Sequence, residues 1–194
     1  MNEIKAINTT YNGYKFRSRA EARWAVLFDA LNIKYFYEPE GFELSNGMFY
    51  LPDFYLPETD SFFEVKGILE ELDKQKIEQI SEDLKRAITI GYPDMTFEAS
   101  SNYGEGDWML TSKAESWLCR CRKCGKYFFI GNQGSWACTN TECGFYDGDN
   151  TSAETYFGDG DYWAVSTTSE IYKAFNTAKQ ARFEHGETVN LKPF

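Results

Sequence analysis

The chain has 194 residues, a formal net charge of −10 and a single histidine. Hydrophobic residues make up 42% and aromatic residues 18%, enough for a packed core, while no apolar run reaches the roughly 18 residues that a membrane helix needs. These values argue against a membrane span, the negative charge is awkward for an enzyme of nucleic acids because phosphate binding normally wants a basic surface, and the absence of an apolar centre between Met1 and Lys15 predicts an intracellular, cytoplasmic protein.

The charge is unevenly spread. Five basic residues (Lys5, Lys15, Arg17, Arg19, Arg23) stand against Glu3 and Glu21 before position 24, and five more (Lys113, Arg120, Arg122, Lys123, Lys126) against Glu115 between 113 and 126. From Thr139 to Glu170 there are seven acidic residues and no Lys or Arg. Local potential rather than the total decides phosphate binding, so two basic segments remain available to an anionic partner.

Residues 1–16 read as irregular or extended, with a turn at Asn12-Gly13. A helix is predicted next: Ser18 suits the N-cap, and Ala20, Trp24, Leu27, Phe28 and Leu31 form an apolar stripe. Glu21 lies three residues after Ser18, where a capping-box partner belongs. Arg17, Arg19 and Arg23 flank it, as phosphate contacts or as a solvated helix start. Ile33 to Glu38 reads as a strand ended by Pro39, Phe42 to Leu44 opens another, and Asn46-Gly47 is a turn signal.

Two aromatic, apolar runs follow, Phe49 to Leu56 and Ser61 to Lys66, joined by Pro57-Glu58-Thr59-Asp60. They predict a hairpin. Side chains alternate along a strand, so Glu64 and Lys66 share one face and Phe63 and Val65 the other, while Asp53 is carried towards Glu64 by the partner strand. Charges in so apolar a place need a reason. A divalent metal supplies one: Mg²⁺ (or Mn²⁺) takes oxygen ligands, here Asp53, Glu64 and the Val65 carbonyl, with Lys66 stabilising charge near a metal-bound water and phosphate.

Helical spacing at Leu72, Ile77, Ile80, Leu84 and Ile88 predicts a helix from Leu69 to Ile90, stopped by Gly91-Tyr92-Pro93, and Met95 to Glu98 a closing strand. Ser100 to Asp107 is small, polar and Gly-rich and reads as a loop, at the head of a linker over residues 101–116. Cys121-x₂-Cys124-Gly125 and Cys138-x₄-Cys143-Gly144 then look like two metal knuckles over residues 117–149, because tetrahedral Zn²⁺ takes four soft ligands two at a time. Cys119 is a spare that could replace Cys121 or pair with Cys124. Residues 147–163 are acidic and aromatic, and Glu170 to Glu184 reads as an amphipathic helix packed on the ribbon or the core.

Pro52-Asp53 followed by Glu64-Val65-Lys66, in the wording YLPDFYLP and FFEVKG, resembles the signature of the PD-(D/E)XK nuclease superfamily. It looks most like phage endonuclease I-type junction resolvases and related transposon endonucleases. The resemblance covers residues 1–100 and implies a restriction-endonuclease-like core, a mixed sheet flanked by helices; with the four-cysteine segment read as a small Cys₄ zinc-ribbon appendage and Glu170 to Glu184 as a C-terminal helix, the expected fold class is α/β. It implies Mg²⁺-dependent hydrolysis of DNA by a phage-encoded endonuclease acting in the host cytoplasm, with Glu21 assisting Asp53, Glu64 and Lys66. It also points to Lys74, Gln75, Lys76 and Gln79 as loose candidates for a further polar residue near the site. One site per chain and two strands to cut favour a homodimer. The alternatives are a non-catalytic binding module on the same fold, mimicking DNA or engaging a protein through its ribbon or acidic tail, and a nuclease subunit of a recombination or packaging assembly.

Overall fold

The computed structural model describes residues 7–102, 108–131, 137–146, 153–157 and 169–183. The first hairpin, β1 (Thr9–Tyr11) and β2 (Tyr14–Phe16), turns at Asn12-Gly13, both with positive φ. Helix α1 (Arg19–Ala30) starts where the Ser18 hydroxyl accepts the Glu21 N–H at 3.1 Å, and it buries Ala22, Trp24, Ala25, Val26, Leu27 and Phe28. Strand β3 (Phe36–Tyr37) is shorter than the Ile33–Glu38 run suggests. Strands β4 (Phe42–Glu43) and β5 (Phe49–Tyr50) pair around Gly47, whose φ is +80°.

The run from Phe49 to Leu56 is not one strand. It breaks at Leu51-Pro52-Asp53, so β5 pairs with β4 while β6 (Phe54–Leu56) pairs with β7 (Ser61–Val65). Proline has no N–H to give a ladder, and the break falls on it. The next helix is also shorter than its apolar spacing predicts. Helix α2 (Glu71–Leu84) ends at Lys85, which is left-handed with φ +53°, and Ile88 opens β8 (Ile88–Gly91) instead of a last helical turn. All four residues of β8 are buried, and a short, continuous apolar run looks the same from sequence in a helix or a central strand.

Strands β9 (Phe97–Asn102) and β10 (Trp108–Leu110) complete the main sheet. Its order is β10-β9-β8-β7-β6-β3, with β7 and β8 parallel and the other pairs antiparallel. The stretch read as a linker therefore carries strand ends, a 3₁₀ turn at Lys113–Glu115 and the start of β11 (Ser116–Cys121). Strand β11 pairs with β12 (Tyr127–Gly131) and with β13 (Ala153–Phe157), so the cysteine-bearing sheet runs past residue 149 into the acidic segment. Residues 103–107, 147–152, 158–168 and 184–194 lie outside the described residues, and with them most of the acidic segment and His185. Helix α3 (Ser169–Gln180) closes the described chain.

The architecture is α/β in layers. Phe62, Ile88 and Ile90 face α2 on one side of the sheet, with Ile77, Ile80 and Tyr50. Phe54, Phe63 and Phe97 face α1 and α3 on the other, with Trp24, Phe28, Ile171 and Phe175. The cysteine-bearing sheet belongs to this second layer: Leu118 lies in that core and the Phe129 ring sits 5.2 Å from Phe63. It is fused to the fold through a shared core rather than appended by a linker: Leu118 and Phe129 reach into that core, while Trp117, Cys119, Phe128 and Ile130 pack together on the opposite face, as alternation along a strand requires.

Gly91 marks a close approach between these layers. A Cβ there would lie 2.5 Å from the Phe63 ring and 2.6 Å from the Trp24 indole, whereas one at Gly67 would meet none of the described residues within 4 Å. Gly91→Ala should therefore destabilise the protein by about 1–3 kcal/mol, and Gly67→Ala should be close to neutral. Urea midpoints measure both; equal midpoints would show that α1 and β7 do not close on β8 as described.

Candidate active site and metal centre

The β6–β7 ladder pairs Phe54 with Phe63 and Tyr55 with Phe62. One step further, Asp53 stands opposite Glu64 and Pro52 opposite Val65, and there side chains replace the backbone ladder. The Glu64 Oε1 accepts the Asp53 N–H at 3.1 Å, and the Asp53 Oδ2 accepts the Val65 N–H at 2.8 Å. In a strand the N–H and C=O of one residue point the same way, so the Val65 carbonyl also faces this edge, where Pro52 has no N–H to offer it.

Both carboxylates are buried, Asp53 at 7% and Glu64 at 5% exposure. Burial raises the Asp53 pKa, against the pull of the Val65 N–H, and the nearby Glu21 charge adds to the rise. Burial and then the Asp53 charge push Glu64 up to about 7, although the Tyr50 hydroxyl and Lys66 favour its anion. Tyr50 donates to Glu64 Oε1 at 2.6 Å, and its own pKa is raised by burial and by Glu64, so it stays protonated and remains a donor. The Lys66 Nζ stands 3.8 Å from Glu64 and 3.9 Å from Asp73 on the first turn of α2. The Lys76 ammonium lies 6.0 Å from the centre of the Tyr50 ring.

Arg17 reaches into the same place. Its guanidinium contacts Asp53 Oδ1 at 2.8 Å and Glu38 Oε1 at 2.7 Å. Arg19 and Arg23 follow on the first turns of α1, both partly buried, and the Arg23 Nε is buried with no hydrogen-bond partner among the described residues. Glu21 is buried on α1 and serves the helix start: its carboxylate accepts the Arg17 N–H at 3.0 Å, the Ser18 hydroxyl at 2.7 Å and the Tyr37 hydroxyl at 2.7 Å. The sequence reading missed Glu38, Tyr37, Tyr50 and Asp73. The alternation of the Phe49–Leu56 run could have flagged Tyr50; Glu38 carried no signal.

The cysteines form a second centre. Cys121, Cys124, Cys138 and Cys143 bring their sulfurs within 4.8 Å of one another, with Cys121–Cys143 at 3.9 Å and Cys124–Cys138 at 3.8 Å. A tetrahedron of metal–sulfur bonds of about 2.3 Å has edges of about 3.8 Å, so the four could hold a metal ion. Each knuckle is closed by a glycine in the left-handed region, Gly125 and Gly144, with Gly125 N–H bonded to Cys121 O and Gly144 N–H to Asn140 O. Burial works against the Cys121 thiolate, but the N–H groups of Cys124 and Lys123 outweigh it and its pKa falls below the ordinary thiol value. Cys119 is fully buried beside Trp117, Phe128 and Ile130, and burial alone drives its thiol pKa upward; the ligand set uses Cys121. Among the described residues, Glu21, Asp53 and Glu64 do not converge as closely as these sulfurs.

No protein-family model matches the chain, and no curated protein matches it. No helix among the described residues is long and apolar enough to cross a membrane.

Two outcomes follow from this geometry. Glu64 has an ordinary pKa of 4.5 and a folded value of about 7, so its contribution to stability is fully present below pH 4.5 and is lost as pH rises through 7. Glu64→Gln keeps an oxygen for Tyr50 and Asp53 and removes that loss. In metal-free buffer the variant should gain stability over wild type at pH 8 and little at pH 5, by roughly 1.4 kcal/mol for each pH unit separating the two pKa values at most. Urea midpoints at the two pH values that differ by the same amount would refute the raised pKa. For the cysteines, protein purified without chelator should carry about one thiolate-bound metal ion per chain by elemental analysis, lost with a lower melting temperature in Cys124→Ser or Cys138→Ser.

Proposed function

We propose that this protein is a divalent-metal-dependent endonuclease that hydrolyses phosphodiester bonds in DNA, with Asp53, Glu64 and Lys66 at its centre. The observation that carries the reading is the pair of buried, adjacent carboxylates at the end of the β6–β7 ladder, beside a lysine and a carbonyl that Pro52 cannot serve. The donor set suits Mg²⁺ or Mn²⁺: it is all oxygen, it is rich in negative charge, and a guanidinium already compensates that charge at Asp53. Asp53, Glu64 and the Val65 carbonyl would hold the ion. Bound there, it would supply Lewis-acid stabilisation of the phosphate and acidify a water.

The chain's own groups do the rest. Lys66, held between Glu64 and Asp73, faces developing negative charge on the phosphate. Tyr50 fixes the Glu64 carboxylate by donating to Oε1, which leaves Oε2 towards Lys66. DNA rather than RNA, and a phage source, rest on the resemblance of YLPDFYLP and FFEVKG to PD-(D/E)XK nucleases. Zn²⁺ is the ion we assign to the four cysteines, in a structural role, since all four positions of a tetrahedron are taken by protein.

A second reading, a binding module that keeps the fold without catalysis, is favoured by one observation: three donors already occupy the Glu21 carboxylate. Supercoiled, branched and single-stranded DNA incubated with Mg²⁺ or with EDTA separates the two. The nuclease reading expects Mg²⁺-dependent cleavage, reduced at least about 100-fold, roughly 2.7 kcal/mol of barrier, by Asp53→Asn or Glu64→Gln. Glu21→Gln can keep its bonds, its amide NH₂ turned to the Ser18 hydroxyl, so melting should hold. We expect its cleavage to fall about tenfold, or about 1.4 kcal/mol, and to recover at raised Mg²⁺; an unchanged rate would confine Glu21 to the helix cap. DNA binding with no cleavage of any substrate would support the binding module instead.

A further inference from the structure

We propose that Arg17 is an exchangeable cation of the carboxylate site, and that Glu38 is the positioning residue that retains it when a divalent ion takes Asp53. The proposal rests on the metal-dependent reading above. Asp53 has one oxygen committed to the fold, Oδ2 on the Val65 N–H, and its other oxygen, Oδ1, is the one Arg17 holds at 2.8 Å. An incoming ion and the guanidinium therefore compete for the same atom.

Glu38 gives the displaced guanidinium somewhere to stay. Its carboxylate binds Arg17 through Nε at 2.7 Å, while the Asp53 contact uses a terminal nitrogen. Turning about the Nε–Glu38 bond can release Asp53 without breaking the second ion pair. The Arg17 side chain is 57% exposed, which leaves room for the movement, and the Tyr37 hydroxyl is a further hydrogen-bond partner of its side chain. Glu38 itself is locked to the site by its N–H, which Asp53 O accepts at 3.0 Å, and it sits at φ +45°, a region that favours glycine. Strain of that kind held beside a reactive centre is a mark of use. Released from Asp53 but kept on Glu38, Arg17 presents its two terminal nitrogens at the mouth of the site, the arrangement that grips two oxygens of one phosphate. Among the described residues, Glu21 and Tyr37 also stand against it: Glu21 accepts the Arg17 main-chain N–H, and so does the Tyr37 hydroxyl at 3.1 Å.

The test is divalent-ion binding without DNA, by calorimetric titration of Mn²⁺ into the full chain carrying its cysteine-bound metal. Wild type should bind and Asp53→Asn should not. Arg17→Gln should bind about two- to fivefold tighter and Glu38→Gln about two- to fivefold weaker, the scale of a half-exposed ion pair. In the double variant the Glu38 change should have no further effect, because Glu38 acts through Arg17. Glu38→Gly should match Glu38→Gln in affinity while its melting temperature holds or rises, which a purely structural role would not produce. Equal weakening by Glu38→Gln in both backgrounds, or unchanged affinity in Arg17→Gln, overturns the proposal and leaves the nuclease reading standing. Loss of all Asp53-dependent binding in wild type overturns both.

Discussion

The site depends on a ladder that cannot continue. Just beyond the end of β6 lies Pro52, which has no N–H, at the position opposite Val65. Backbone groups left there need partners, since an unpaired buried polar group costs about 1–3 kcal/mol. The partners are carboxylates: Asp53 takes the Val65 N–H, and Glu64 takes the Asp53 N–H. The same two bonds that end the strand pair also carry two like charges into the core and set them side by side. The raised pKa of each acid is the cost of that solution, and Tyr50, Lys66 and Arg17 are arranged to offset it.

Behind this edge the fold is stiff. On the far face of β7, Phe63 meets Trp24 at 4.7 Å, Phe28 at 5.1 Å and Phe129 at 5.2 Å between ring centres. Phe129 comes from the cysteine-bearing sheet, which also grips the β6–β7 turn: Lys126 contacts Glu58 Oε1 at 2.6 Å, and the Thr141 N–H bonds the Glu58 carbonyl. A small sheet with cysteine knuckles gains its own order from a bound ion. An ion held by the four sulfurs would pass that order on, through the Phe129 ring and Glu58, to the hairpin bearing Asp53 and Glu64.

Local signals were legible wherever the chain states its geometry in neighbouring residues. The Asn12-Gly13 and Asn46-Gly47 turns, the Ser18 cap, the hairpin joint at Pro57–Asp60 and the cysteine spacing all act over a few positions, and the structure has turns, a helix start and a cysteine cluster there. What was not legible depends on partners distant in sequence. Ile88 continues the apolar spacing of α2, yet it becomes strand because β7 and β9 are both waiting to pair with it. Residues 100–102 are small and polar and read as a loop, but Ser100 is buried and its hydroxyl accepts the Ile88 N–H. Glu38 has no pattern at all; only the placement of Arg17 and Asp53 around it gives its carboxylate a role. The Asp53–Glu64 adjacency was readable from register, whereas the saturation of Glu21 by Tyr37 was not, because Tyr37 arrives from another strand.

A net charge of −10 sits uneasily with a DNA substrate, and the ion pairs sharpen the point. Around the hairpin, Arg17 is held by Asp53 and Glu38, Lys66 lies near Glu64 and Asp73, Arg86 is bound to Asp60, and Lys126 to Glu58. Cations already matched by acids have little left for a phosphate backbone, whose non-specific attraction comes from basic groups that displace its counterions. Under the proposed function, attraction must then be made at the site rather than inherited from the surface. A divalent ion on Asp53 and Glu64 would do this twice over, adding positive charge where the acids cluster and setting free part of the charge that Asp53 now holds on Arg17. Binding of DNA and binding of metal would be one coupled event, with the acidic surface discouraging any duplex that the charged site does not engage.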